Sequence, residues 1–70
     1  MNKVIEAIPL ETTNEDLLAH RMKRVLVVFE TDNGERHSVY PLISEEMLDE
    51  PEIDRFYQKM VDKWVGANLQ

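Results

Sequence analysis

The spacing of apolar residues changes along this chain. Residues 25–42, VLVVFETDNGERHSVYPL, are β-branched and aromatic on both sides of Asn33-Gly34. Asn-Gly supplies the two positive-φ positions of a two-residue type I′ turn, so the segment predicts a β-hairpin. With Asn33 and Gly34 as the loop, Phe29 faces Ser38, Val28 faces Val39 and Val27 faces Tyr40. One face then carries Val25, Val27, Phe29, Tyr40 and Leu42. The other carries Leu26, Val28 and Val39, followed by Glu30 opposite His37. This register also sets Asp32 against Glu35, a like-charge pair that a longer loop beginning at Asp32 would relieve.

Over 51–65 the period becomes helical. Ile53, Phe56, Tyr57, Met60, Val61 and Trp64 form one face, and Asp54, Arg55, Gln58, Lys59, Asp62 and Lys63 the other. Pro51 suits the first turn, Asp49 or Glu50 can cap it, and Gly66 is placed to end the helix. Just before it, residues 44–50 read as a separate helical turn with Ser44 as N-cap, since Pro51 prevents one straight helix. Near the N-terminus, Lys3 to Leu10 read as a strand stopping near Pro9. Thr13-Asn14-Glu15-Asp16 resembles a capping box and predicts a short helix over 14–20. The other reading makes 11–21 a long loop, with the next strand starting near Met22.

These elements predict an α+β fold: a small three-stranded antiparallel sheet in the order β-(α)-β-β-α, with a C-terminal amphipathic helix packed on one face. Seventy residues form a single domain, 1–70, because about 100–200 residues per domain is usual. The expected core is Val4, Ile8, Leu17, Val25, Val27, Phe29, Tyr40, Leu42, Ile53, Phe56, Met60 and Trp64. Such a core is thin; at this size a single core rarely supplies more than ~3–5 kcal/mol, and oligomerisation is a common remedy. The sheet's outer face, expected to hold Ile5, Ala7, Leu26, Val28 and Val39, is too apolar to stay wet. Both points predict a homo-oligomer, a dimer in its simplest form, with Leu26, Val28 and Val39 at the interface.

Charge changes this picture by exclusion. Fourteen acidic against eight basic residues give a net charge of −6. That disfavours direct nucleic-acid binding and docking on anionic membranes. The absence of cysteine removes thiolate catalysis and cysteine-ligated zinc, and fits a reducing cytoplasm. No apolar run reaches the ~20 residues of a membrane helix. The N-terminal MNKVIEAIPLE is not patterned as a signal peptide, and the initial Met predicts a complete small gene product.

Candidate chemistry is sparse. Glu45, Glu46, Asp49, Glu50, Glu52 and Asp54 precede the next base, Arg55. Two helix N-termini in this segment favour acids through their dipoles and account for most of them; the excess is what suggests a partner. Arg21-Met-Lys-Arg24 is the one basic cluster, suited to a solvated strand entrance, a helix C-terminus or an acidic neighbour. The two histidines, His20 and His37, have no His-x-x-x-His spacing, and no phosphate-cradling loop or Ser-elbow motif occurs. Trp64, near the chain end, is core by its spacing but can protrude as an interface anchor.

The sequence thus predicts a non-catalytic protein-binding module, without metal or cofactor, that acts as a regulator, inhibitor or accessory factor of the kind phages and mobile elements carry. Its partner-binding residues are Glu45, Glu46, Asp49, Glu50, Glu52 and Trp64. Two other readings stay open. One is a nucleic-acid mimic that presents its acidic helical face to a nucleic-acid-binding protein. The other is a small-ligand binder with a pocket at an oligomer interface.

Overall fold

The computed structural model describes residues 2–69. In chain order the elements are β1 (Lys3–Pro9), α1 (Glu15–Ala19), β2 (Met22–Glu30), β3 (Arg36–Val39), β4 (Leu42–Ser44), α2 (Glu45–Leu48) and α3 (Ile53–Asn68). The fold is α+β and antiparallel: β2 is central, β1 flanks one side, and β3 with β4 flank the other. The α3 helix lies over one face of this sheet.

The hairpin closes one residue out of the two-residue register. Phe29 pairs with His37, Val28 with Ser38, Val27 with Val39 and Glu30 with Arg36. Thr31 donates its amide to the Glu35 carbonyl at 2.8 Å, so the loop is Asp32-Asn33-Gly34. Gly34 sits at φ 83 while Asn33 keeps a negative φ, which rules out the type I′ turn. A three-residue loop ending in a left-handed glycine is the next most common hairpin closure. Because side chains alternate, this one-residue slip moves the whole partner strand to the opposite face. Val39 and Ile43 therefore lie on the covered face, and Tyr40 and Leu42, expected in the core, are 55% and 39% exposed.

The strand after the loop is split at Tyr40-Pro41. The β4 pairs Lys23–Ile43 and Arg24–Leu42 continue the β3 alignment. Val25 donates to the Pro41 carbonyl at 3.0 Å, but Pro41 has no N–H to return, so the ladder breaks there. On the other side, β1 shifts register between Val4 and Glu6. This bulge at Ile5 sets Val4 opposite Phe29 and Ala7 opposite Val27, and turns Ile8 to the uncovered face, 43% exposed. Ile8 thus leaves the expected core, and Ala7 joins it.

Val25, Val27, Phe29, Ile43, Tyr57 and Val61 are buried, and Val4, Ile53, Phe56, Met60 and Trp64 pack against them. Leu17 is half-buried on α1, outside this cluster. The N-cap of α1 is Asn14, not Thr13; its side chain accepts from the amides of Asp16 and Leu17. Ser44 caps α2 as expected, through the Met47 amide. The α3 helix begins after Glu52 without a side-chain cap and runs through Gly66 to Asn68. Gly66 does not end it because the backbone stays helical there, and only Gly34 among the glycines has a positive φ.

Candidate interaction surface

The uncovered sheet face is built by alternation. Phe29, Val27 and Val25 point to α3, so Glu30, Val28, Leu26 and Arg24 point away from it. Cross-strand pairing then orders this face in rows. Lys3, Glu30 and Arg36 form a charged row at one end, with Arg36 3.5 Å from Glu30. Glu6, Val28 and Ser38 follow. Ile8 pairs with Leu26, and Tyr40 lies on the far side of Leu26 in the same alignment. Arg24 pairs with Leu42 in the last row, and its guanidinium donates to the Tyr40 carbonyl at 2.7 Å. The result is an apolar band of Ile8, Leu26, Val28, Tyr40 and Leu42, with residues of both charges at one end and Arg24 at the other.

Of the expected interface residues, Leu26 and Val28 lie in this band and half-buried. Val39 does not; it packs beside Val27 on the covered face. Ile8, Tyr40 and Leu42 take its place. The sequence carried one signal for them, the Asp32–Glu35 conflict that argued for a loop starting at Asp32.

The expected partner-binding acids lie along α2 and the turn after it, where Glu45 and Asp49 line one cleft with Lys23. Glu45 is 3.1 Å from Arg21, and Glu52 is 3.6 Å from Arg55. Glu45 and Glu46 occupy the first turn of α2, and Asp49 is its C-cap. Glu50 and Glu52 lie in the turn leading to α3. Glu45 and Glu46 complement the N-terminus of α2, Asp49 at its C-cap does not, and each ion pair is worth little at the surface. Trp64 is half-buried, edge-on to Phe29 at 5.6 Å and tilted to His37 at 5.9 Å.

Two grooves flank α3. Along β1, Ile5, Glu6, Leu48, Asp54, Tyr57 and Gln58 line a cleft. Burial, and then the Asp54 carboxylate, raise the Tyr57 hydroxyl above its ordinary pKa of 10.0, so it remains a neutral phenol there. Along β3, Val39, Pro41, Met60 and Trp64 line a mostly apolar groove, continued on α3 by Phe56, Lys59 and Lys63.

The histidines serve local structure. His20 Nδ1 is 2.8 Å from the Asp16 carbonyl, closing α1, and His37 stacks on Phe29 with its Nε2 3.3 Å from Glu35. Among the described residues no group of three or more His, Asp or Glu side chains could hold a metal ion, and no helix is long and apolar enough to cross a membrane. Comparison with protein-family models, with curated proteins and with solved structures finds no match for this chain.

Proposed function

We propose that this chain is a non-catalytic protein-interaction module of the cytoplasm that pairs with a second copy of itself through the uncovered sheet face. The observation that carries this reading is the apolar band itself: Ile8, Tyr40 and Leu42 are 43%, 55% and 39% exposed beside Leu26 and Val28, and no element among the described residues covers them. Contiguous apolar surface of this kind marks an interaction site rather than ordinary surface.

Charge placement favours a second copy as the occupant. A two-fold axis running across the strands through the Leu26 row would set Ile8, Leu26 and Tyr40 of one copy on their equivalents. It would also bring each Arg24 against the Val28 row of the other copy, within reach of Glu6, while Glu30 keeps its own partner Arg36. The face is self-complementary in that arrangement, as an isologous interface must be. Three strands about 4.8 Å apart and ~20 Å long present roughly 300 Å² per copy in projection, below the ~800 Å² per partner of a standard interface and in the range of weak, transient pairing. The pairing is accordingly concentration-dependent, and the dimer serves as a regulator, inhibitor or accessory factor for another protein.

Light scattering across a tenfold dilution, at low and high salt, tests this. The expected result is a dimer that dissociates on dilution and resists salt, because its centre is apolar. Leu26→Glu should give a monomer with an unchanged circular dichroism spectrum. A monomer at every concentration, or a dimer indifferent to Leu26→Glu, would overturn the reading.

A further inference from the structure

We propose that the groove between β3 and α3 receives an extended acidic segment of a partner polypeptide, which adds as a strand to the β3 edge. This surface opens at the side of the sheet and meets the dimer face only at its rim, where Tyr40 lines the groove as well. The first support is backbone geometry. Antiparallel pairs alternate between bonded and non-bonded, and two bonds set the phase: Thr31 to the Glu35 carbonyl, and Val25 to the Pro41 carbonyl. Phe29–His37 and Val27–Val39 are then the bonded pairs. The amides and carbonyls of Arg36 and Ser38 consequently point away from β2, along an open edge of the kind that pairs with another chain.

The second support is what lies beside that edge. Val39, Pro41, Met60 and Trp64 form an apolar trough where alternate side chains of an added strand would insert. On its outer wall stand Lys59 and Lys63, one helical turn apart, next to Phe56 and Met60. Both lysines are exposed, and neither joins an ion pair among the described residues. In a chain of net charge −6 this is a local positive wall along an apolar groove. Its complement is a segment that alternates apolar and acidic residues, the apolar ones filling the trough and the acidic ones facing the lysines. A nucleic acid would satisfy the lysines but not the main-chain edge, and the overall negative charge would repel it.

Trp64 is the only tryptophan, so its fluorescence reports on the groove. The 70-residue chain, immobilised by one terminus, would be panned against a displayed library of random linear peptides. Enriched peptides are expected to alternate apolar and acidic residues and to shift Trp64 emission on binding. Lys59→Glu with Lys63→Glu should weaken the best peptide at least tenfold. Ser38→Pro should do the same by removing an outward amide without costing a bond to β2. Leu26→Glu should leave peptide binding intact, which separates this proposal from the dimer. No enrichment, a basic or charge-free consensus, binding indifferent to the lysine reversal, or an oligouridylate shifting Trp64 where no peptide does, would each overturn it.

Discussion

Tyr57 ties the core to the chain's titration. It is 4% exposed, and its pKa stands above the ordinary 10.0 first because burial penalises the phenolate and then because Asp54 repels it. The native state therefore keeps a proton that the unfolded chain has already lost. Stability from this group is full below the unfolded pKa and is lost as pH rises through the folded one. Urea midpoints should thus decline as pH rises above about 10, and Tyr57→Phe should flatten that decline. An identical decline in both proteins would place the alkaline sensitivity elsewhere. The helical period of 53–64 already made Tyr57 an inward residue. Its partner Asp54 lies one helical turn earlier, at i−3, so the pair follows from helical pitch alone, although the face pattern set Asp54 among the outward residues.

At the scale of elements, the two glycines make opposite cases. Gly34 holds φ 83 at the end of the hairpin loop, where a side chain is strained although the space around it is open. Gly34→Ala should cost about 1–2 kcal/mol in a urea titration, the penalty of a left-handed conformation for an L-residue. Gly66 lies inside α3 with nothing within 4 Å of a would-be Cβ. Gly66→Ala should add up to ~1 kcal/mol by removing backbone entropy from the unfolded chain, less if the last turn frays. Equal effects of the two substitutions would contradict these loop and helix assignments. Helix α2 and its cap were legible because a cap is a contact three residues long; the Ser44 Oγ accepts from the Met47 amide at 3.2 Å. The end of α3 was not, since a glycine marks a helix terminus only when its φ turns positive.

For the whole molecule, the thin core and the uncovered face have one joint consequence. If pairing supplies part of the stability, the melting temperature must depend on protein concentration. Thermal melts over a hundredfold concentration range should show Tm rising with concentration for the native chain and constant for Leu26→Glu. A Tm independent of concentration in both would mean that α3 on the covered face suffices alone. The expected α+β layout held at this scale, with one helix on one face of an antiparallel sheet. The composition of the two faces did not follow from it, because each depends on pairing between strands rather than on either strand alone.

The sequence by itself determined the local periods: Val25, Val27 and Phe29 share a face, as do Ile53, Phe56, Met60 and Trp64, and all pack into or against the core. Those relations are set within one element by strand alternation and helical pitch. Only the tertiary structure decided which residues oppose them. Two loop lengths are compatible with Asp32-Asn33-Gly34, and the choice fell to the register that buries Ile43, packs half-buried Val39 against the core and leaves Tyr40 and Leu42 outside. The bulge at Ile5 made the same choice for β1, exchanging Ile8 for Ala7. Register is a sum over contacts between distant segments, and a one-residue slip costs almost nothing locally while it turns an entire strand over.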